Sequence, residues 1–279
     1  MLNTTVSLAR AGIPVELITE YGMDDIGNII HEFLIENNVG TDYVSRFSNG
    51  NTAVAMAFLN DKQDAAYSFY KLYPVERQGP RFPEPEKDDI VLFGSSYSIS
   101  DPVHNDILLW VKKARNNKAL VMYDPNFRKH HLPEVDKLKP RILSNISLSD
   151  IIRGSDEDFL NIFGTTEPDV ILNYLYEYGC RNLIMTRNKS TVSAWFGDIS
   201  ESAVVAEVHP LISTIGAGDA FNAGIIYSCV RDGIFASGLG DIKPAEVERI
   251  MRTGIMFSAE VCKSLDNYIT VDFGNRLKG

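Results

Sequence analysis

The stretch "STIGAGDAFNAG", residues 213–224, places two glycines and an aspartate at the start of an apolar, helix-like segment. The N–H groups in the first turn of a helix have no intrahelical partner, and the helix dipole makes that end positive. Gly216, Ala217 and Gly218 are small enough to let an anion approach these N–H groups closely. The stretch therefore predicts an anion site at the amino end of a helix.

Asp219 follows these three residues directly. A carboxylate next to a bound anion is electrostatically costly unless the carboxylate takes part in the chemistry. A general base that accepts the proton of a hydroxyl, as a phosphoryl group is transferred to that oxygen, meets this condition. The alternative is an aspartate that only stabilises a helix N-terminus, because Gly-x-Gly-Asp alone is a weak signal.

Around this stretch, short apolar segments alternate with segments of helical periodicity. Four segments are predicted to be strands: "VELIT" (15–19), "DIVLFGSS" (89–96), "ALVMYD" (119–124) and "NLIMTR" (182–187). Helices are predicted at residues 2–12, 24–38, 102–118, about 133–145 and, as one long helix or two, 243–267. Repeated strand–helix units predict an α/β fold with a mainly parallel sheet covered on both faces.

Residues 42–73 break this alternation, because three strand-like segments follow one another without a helix. Asn49-Gly50 and "NDKQD" are turn signals between them. The pattern predicts a small antiparallel sheet inserted into the α/β fold, serving as a lid or as an oligomer contact. A surface hairpin without such a role is the alternative.

Composition narrows the classes of function. The 279 residues carry a formal net charge of -10, and an acidic surface repels phosphate backbones, so no nucleic-acid partner is expected. No apolar segment approaches membrane-spanning length, and no secretory signal opens the chain. The three cysteines are few and far apart, which argues against disulfides and zinc. We therefore expect a cytoplasmic protein without a membrane partner.

The stretch of residues 213–224 resembles the second signature of the ribokinase/PfkB family of carbohydrate kinases, written DTxGAGDxFxxG. Further segments resemble the family in the same order along essentially all 279 residues. They are "NTTVSLARAG" (3–12), which is similar to the end of the first glycine-rich signature, "GMDDIG" (22–27), "YDPNFR" (123–128) and "TRNKST" (186–191). The inserted strands with "YSFY" (67–70) resemble the lid of fructokinase-like members.

The resemblance implies one kinase domain over residues 1–279, with a three-layer ribokinase-like fold and a β lid near 42–73. It implies ATP-dependent phosphorylation of a sugar hydroxyl, and a fructokinase-like enzyme is the first expectation. A 2-keto-3-deoxygluconate kinase is the alternative if Arg128 faces the pocket, and a non-catalytic sugar or nucleotide binder is another. A dinucleotide-dependent oxidoreductase is rejected, because no G-x-G-x-x-G follows an early strand.

The resemblance also assigns roles to residues. Asp219 is implied as the base that activates the sugar hydroxyl, and the amides of Gly216, Ala217 and Gly218 as the stabilisers of the transferring phosphoryl group. The other implied contacts are the sugar at Asn3, Asn126 and Arg128, the nucleotide at Thr186, Asn188 and Ser155, and Mg²⁺ at Asp158. Magnesium accompanies ATP, many members use a potassium ion near this loop, and the lid often pairs with that of a second subunit.

Several positions depart from the family pattern. The family's first strand, with a substrate-binding aspartate, and the two glycines before Asn3 have no counterpart, so we expect the chain as given to bind sugar weakly. Ser213 stands where the family has an aspartate of the monovalent-cation site, and Asn188 and Thr191 stand where it has glycines.

Two of the assigned residues have plain structural alternatives. Asp158, at the last position of the family's N-x-x-E, is equally interpreted as part of a solvated first helical turn. Arg128, which follows a predicted strand, is equally interpreted as a salt-bridged surface arginine.

Overall fold

A computed structural model describes residues 1–59, 65–74, 79–187 and 190–278. The helices are α1 Leu2–Arg10, α2 Asp25–Glu36, α3 Ser95–Ser98, α4 His104–Asn116, α5 Val135–Ser147, α6 Asp156–Phe163, α7 Pro168–Glu177, α8 Ala217–Asp232, α9 Pro244–Val261 and α10 Val271–Lys278. The strands are β1 Thr19–Gly22, β2 Val44–Phe47, β3 Asn51–Leu59, β4 Ala65–Leu72, β5 Ile90–Gly94, β6 Leu120–Asp124, β7 Ile151–Ser155, β8 Asn182–Arg187, β9 Thr191–Phe196 and β10 Ile199–Val204.

The chain forms two compact units, one from Met1–Ile13 with Glu84–Gly279 and one from Pro14–Pro83. The first unit holds a six-stranded sheet in the order β10-β9-β8-β7-β6-β5. Strands β5 to β8 are mutually parallel, whereas β9 pairs antiparallel with both β8 and β10. The predicted α/β fold with a mainly parallel sheet is therefore confirmed. The carboxyl ends of the four parallel strands meet at one edge of this sheet, where α/β proteins place their ligands.

Helix α8 is largely buried in the first unit. Its residues from Ala220 to Ile226 are all buried, and it packs against α1 and α9. The crossing with α9 is close, because a Cβ on Gly224 would lie 2.6 Å from the carbonyl oxygen of Thr253. A Cβ on Gly254 would lie 2.8 Å from the Phe221 ring. Gly224, the last residue of the opening stretch, is therefore required by helix packing rather than by a ligand.

The helices predicted at residues 2–12 and 24–38 are present as α1 and α2, with ends within about two residues of the prediction. Helix α1 ends before Gly12, which adopts a φ of +83° that side chains rarely tolerate. Asp24 caps α2 by accepting the amide of Gly27 at 3.0 Å. The pattern of residues 243–267 contains the single helix α9, and α10 follows separately.

The unit Pro14–Pro83 extends beyond the predicted lid strands on both sides. The three strands predicted in residues 42–73 are present, but only β3 and β4 pair antiparallel with each other. The predicted small antiparallel sheet is therefore confirmed as β3 and β4, whereas β2 pairs in parallel with β1 in a separate sheet. The strand predicted at 15–19 is also displaced, since β1 begins only at Thr19 and residues before it form an isolated bridge between Glu16 and Gly40.

The "GMDDIG" segment (22–27) makes structural contacts within this second unit. A Cβ on Gly27 would lie 2.0 Å from the carbonyl oxygen of Gly22, so the turn leaves no room for a side chain. Asp24 also accepts the amide of Thr52 at 2.9 Å and the hydroxyl of the same residue. The hydrogen bonds from Thr52 hold the pKa of Asp24 below its usual value. These contacts join the start of α2 to β3.

Among the residues that the structure describes, no helix is both long enough and apolar enough to cross a membrane.

Candidate active site

The start of α8 leaves its amino end open. Gly216 precedes the helix with a φ of +84°, and a Cβ at this position would lie 2.4 Å from the carbonyl oxygen of Asn267. No side chain caps this helix. The amide of Ala217 donates to the carbonyl of Thr214 at 3.3 Å, and the amides of the next two residues lie in the first turn, where a helix has unpaired donors. The loop therefore presents backbone N–H groups to an incoming anion.

Asp219, the third residue of α8, is held by the amino end of α1. The terminal ammonium of Met1 donates to Oδ1 of Asp219 at 3.1 Å, and the hydroxyl of Thr4 lies 3.3 Å from the same oxygen. The side-chain amide of Asn3 donates to Oδ2 at 2.8 Å. Burial alone would raise the pKa of Asp219, but the ammonium, Asn3 and Thr4 together hold this pKa below its usual value. The carboxylate is therefore ionised at neutral pH, as a general base must be.

The predicted sugar-binding residue Asn3 thus lies at the predicted base. Thr4, which the sequence analysis missed, binds both the side chain of Asp219 and its carbonyl oxygen, the latter at 3.1 Å. A carboxylate accepts about four hydrogen bonds, two at each oxygen. Among the described residues, Oδ1 of Asp219 has two donors and Oδ2 has one, and the side chain is 22% exposed. Oδ2 therefore has room for one more donor.

A buried arginine lies behind the open loop. Arg153, on β7, donates from Nη1 to Oδ2 of Asp124 at 3.1 Å, and its Nη2 lies 3.4 Å from the hydroxyl of Thr186. Asp124 also accepts the side-chain amide of Asn222 from α8 at 2.6 Å. A Cβ added to Gly218 would lie 3.3 Å from Nη1. The ends of three strands are thereby connected to the first turns of α8.

Sequence analysis missed this arginine and the buried amide beside it. The only signal was a charged residue inside the short apolar segment "IIRGS" (151–155), which was not recognised as a strand. The signal of Asn222 was an amide within the apolar part of the opening stretch.

Ser155 and Asp158 form a closed cap on α6. The hydroxyl of Ser155 accepts the amide of Asp158 at 3.2 Å, and the carboxylate accepts the amide and the hydroxyl of Ser155 at 2.7 and 2.6 Å. Asp158 also accepts the amide of Phe127 at 2.6 Å and is only 5% exposed. Burial, followed by the charge of Asp124, raises the pKa of Asp158. The interpretation of Asp158 as part of a solvated turn is therefore wrong, because its oxygens bind buried donors.

Asn126 and Arg128 lie on the loop after β6. Asn126 has a φ of +40°, which is uncommon outside glycine, and its amide donates to Oδ1 of Asp124 at 3.0 Å. Strained backbone of this kind concentrates at functional sites. Arg128 is exposed. The structure thus connects Asn126 with the Asp124 network, and it places Arg128 at the surface.

The predicted nucleotide and ion contacts are only partly described. Thr186, at the end of β8, faces Arg153 as stated above, and Asn188 lies outside the described residues. Ser213 accepts the amide of Ile215 through its hydroxyl at 3.2 Å. Within the described ranges, no group of three or more histidine, cysteine, aspartate or glutamate side chains is arranged to hold a metal ion. Any Mg²⁺ at this site would depend mainly on phosphate oxygens and water, as Mg²⁺ usually does.

Comparison with known proteins identifies the family of the chain. A sequence model described as pfkB family carbohydrate kinase matches residues 1–266. The chain is 27% identical over 273 residues to the probable fructokinase-6, chloroplastic, of Arabidopsis thaliana, which covers 94% of this chain and 67% of the relative. It is 26% identical over 238 residues to the fructokinase of Rhizobium leguminosarum bv. trifolii, which covers 84% of this chain and 72% of the relative.

Solved structures share the fold. The aminoimidazole riboside kinase of Salmonella enterica, complexed with aminoimidazole riboside and an ATP analogue, superposes with a TM-score of 0.81 at 18% identity, covering 99% of this chain and 89% of that one. The fructokinase of Xylella fastidiosa with bound ATP gives a TM-score of 0.80 at 22% identity, covering 99% and 88%. At these identities the likeness shows the ribokinase-like fold alone.

Proposed function

The chain belongs to the pfkB family of carbohydrate kinases, and on this basis we propose that it transfers the γ-phosphoryl group of ATP to a sugar hydroxyl, with fructose as the first candidate. The observation that carries the proposal is the ionised Asp219 at the open amino end of α8, held by Asn3 and Thr4. An anion site and a base lie within one helical turn, which is the pairing that phosphoryl transfer to a hydroxyl requires. Fructose is preferred because the curated relatives named above are fructokinases.

In the proposed reaction, the sugar oxygen forms a bond to the γ-phosphorus as the bond from that phosphorus to the β,γ-bridging oxygen breaks. The proton of the hydroxyl passes to Asp219, and Oδ2 is the oxygen with room to receive it. The amides near Gly216 and Gly218 stabilise the negative charge of the transferring group. ADP and the sugar phosphate leave, and Asp219 returns its proton to water.

Magnesium, when bound with ATP, supplies positive charge to the phosphate oxygens. The residues present fit an ion that is held mainly by phosphate and water. A contact from Asp158 stays a prediction, since its oxygens already bind Ser155 and Phe127. A potassium ion near Ser213 and nucleotide contacts from Thr186 and Ser155 also stay predictions.

The test is transfer of the γ-phosphoryl group from ATP, measured as sugar-dependent ADP release with Mg²⁺ present. We expect turnover with fructose above that with ribose and 2-keto-3-deoxygluconate. Preference for the last of these would favour the alternative kinase, in which Arg128 binds the sugar carboxylate. Binding of sugar or ATP without turnover would instead support a non-catalytic homologue.

We also propose a homodimer formed through the β3–β4 hairpin. Val54 pairs with Tyr70, so alternate residues of the two strands share one face. Four apolar side chains on this face are 46% to 64% exposed: Met56, Phe58, Tyr70 and Leu72. A two-stranded sheet with an exposed apolar face favours pairing with a second copy. Sedimentation at micromolar concentration should give a dimer that Phe58→Asp dissociates, and a monomeric unmodified chain would contradict this proposal.

A cytoplasmic location is proposed on the state of the thiols. Cys180 and Cys229 are buried and form no disulfide within the described residues. Burial raises the pKa of both Cys180 and Cys229 to about 12, which keeps these thiols protonated and unreactive. Buried thiols of this kind at Cys180 and Cys229 suit a reducing compartment.

A further inference from the structure

We propose that Arg153 is a positioning residue for the phosphate-binding loop. Its guanidinium supplies positive charge behind Gly218 and connects that loop to Thr186 at the end of β8. The inference rests on the proposed function, because it specifies how the open end of α8 holds the phosphate groups of ATP.

The guanidinium of Arg153 lies beside the backbone of the phosphate-binding loop. A Cβ added to Gly218 would lie 3.3 Å from Nη1 and 3.7 Å from Nη2 of Arg153. The guanidinium therefore lies against the backbone of the loop, where a larger side chain in place of Gly218 would fit tightly. The Phe221 ring of the same helix lies 5.2 Å from the guanidinium carbon, which is a favourable cation–π distance. The arginine is thus fixed between α8 and the sheet.

The ion pair with Asp124 does not use the full donor set of Arg153. A guanidinium has five N–H donors and commonly binds a carboxylate through two parallel hydrogen bonds. Here only Nη1 donates to Asp124, at 3.1 Å, and Nη2 faces Thr186 instead. Nε is buried and has no partner among the described residues. An arginine that served only to neutralise Asp124 would be expected to bind it with both arms of the fork.

The positive charge of the Arg153 guanidinium also supports the proposal. The side chains of Arg153 and Asp124 are 9% and 4% exposed, so water screens the charge of the guanidinium weakly. Asp124 also accepts the amide of Asn222 at 2.6 Å and the backbone amide of Asn126 at 3.0 Å. The carboxylate is therefore stabilised by several donors besides the guanidinium, and the guanidinium is the charged group of the pair that lies against Gly218. It adds to the positive end of the α8 dipole.

The experiment compares the affinities for ATP and for adenosine by calorimetry, because only ATP carries the phosphates. We expect Arg153→Gln to weaken ATP binding by roughly ten- to hundredfold, the usual range for a lost charged contact. Adenosine binding should stay within about twofold. Arg153→Lys keeps the charge and should recover most of the ATP affinity.

A matched control lies at the opposite end of β7. Arg115 is 3.5 Å from Asp150, the residue before the strand, and donates to the carbonyl of Ser147. Arg115→Gln removes an arginine–aspartate pair between α4 and the residue before β7 without touching the loop, so its ratio of ATP to adenosine affinity should not change. Equal losses of ATP and adenosine binding in Arg153→Gln would overturn the inference and return Arg153 to a purely structural role.

Two further experiments separate a failure of the inference from misfolding of the variant and from a failure of the proposed function. If Arg153→Gln does not fold, the double variant Asp124→Asn/Arg153→Gln removes both buried charges and provides the comparison, and a restored ATP affinity in it would overturn the inference. The thermal stabilisation given by inorganic tripolyphosphate requires neither sugar nor turnover. Stabilisation that is lost in Arg153→Gln supports the inference even if no sugar is phosphorylated, whereas no stabilisation of the unmodified protein by tripolyphosphate or ATP overturns it.

Discussion

Helices α6 and α8 each carry an aspartate as their third residue, but the surroundings of the two aspartates are opposite. Asp158 of α6 is closed in by the amide and hydroxyl of Ser155 and by the amide of Phe127. Asp219 of α8 has a glycine before its helix and no side-chain cap, and it is partly open to solvent. Burial and Asp124 raise the pKa of Asp158. The position of a carboxylate in a helix therefore does not define its role; its donors do.

The difference follows from the residue that precedes each helix. A serine supplies a hydroxyl that satisfies the first turn, as Ser155 does for α6. A glycine with positive φ supplies no side chain, and the first turn of α8 stays available to a ligand. The first turn is thus completed internally in α6 and left open in α8, where we propose that an anion completes it.

The most direct way to break this comparison is Asp219→Asn. The amide keeps the size of the side chain but cannot accept the proton, so turnover should fall by roughly 10²- to 10⁴-fold. The folded state should lose about 1 kcal/mol or less, because the change is nearly isosteric. Turnover with the best sugar and a thermal melt measure the two effects. Unchanged turnover, or lost turnover with a collapsed melting temperature, would reduce Asp219 to a structural residue.

The complementary change is Asp158→Ala, which should damage stability rather than chemistry. It leaves the buried amides of Phe127 and Ser155 without their acceptor, and the unfolding free energy should drop by about 3 kcal/mol. Urea denaturation measures this loss, with Asp219→Asn as the control. A stable Asp158→Ala variant whose apparent affinity for Mg²⁺ falls would instead support the predicted metal contact and weaken the contrast between the two aspartates.

The glycine before α8 offers a sharper test of the open end. Gly216→Ala combines a positive φ with a Cβ placed 2.4 Å from the backbone of Asn267, and it should cost roughly 2 kcal/mol or more. Gly164, after α6, has a φ of +73° but nothing within 4 Å of an added Cβ. Gly164→Ala should therefore cost only the backbone strain, about 1 kcal/mol. Equal losses of unfolding free energy for the two variants in urea denaturation would show that the backbone of Asn267 moves away from the added Cβ at little energetic cost.

The smallest expected effect is on the pH dependence of stability. The pKa of Asp219 is lowered on folding, so its ionised form stabilises the protein above the ordinary value of 3.8, and this contribution is lost as the pH falls through the folded pKa. The pKa of Asp158 is raised, so its ionisation reduces stability as the pH rises from 3.8 through the folded pKa. The cost of Asp219→Asn should therefore grow with pH, and that of Asp158→Asn should shrink.

Urea titrations of both variants between about pH 3 and 6 measure these slopes against the unmodified protein. Slopes of the same sign would contradict the opposite electrostatic environments of the two aspartates.

The sequence predicted the fold well where local pattern decides structure. The periodic apolar residues of α2 and α4 and the continuous apolar segment of β6 stand in the predicted places. Strand partners were less accessible, because alternation defines a strand but does not specify its neighbour. The parallel pairing of β2 with β1 was therefore missed. Strand β7 was missed because the buried Arg153 interrupts its apolar pattern.

The loop of the candidate site could be predicted from the sequence, but most of the residues that contact it could not. The resemblance placed Asp219 and Asn3 in the site, and the structure joins them at 2.8 Å. Neither motif predicts that Asn3 binds the carboxylate, since contacts between residues 216 positions apart depend on tertiary packing. Thr4 and Arg153 were missed for the same reason.

The close crossing of α8 and α9 has a consequence for how related sequences should be interpreted. Gly224 is required by the backbone of α9, whereas Asp219 is held by hydrogen bonds from Asn3 and Thr4. If Asp219 is the base that we propose, a descendant that loses catalysis would still retain Gly224 for folding, while Asp219 would be under weaker selection. A search pattern that relies on the glycines would then collect proteins that share the fold, and the aspartate would separate the active enzymes from their inactive descendants.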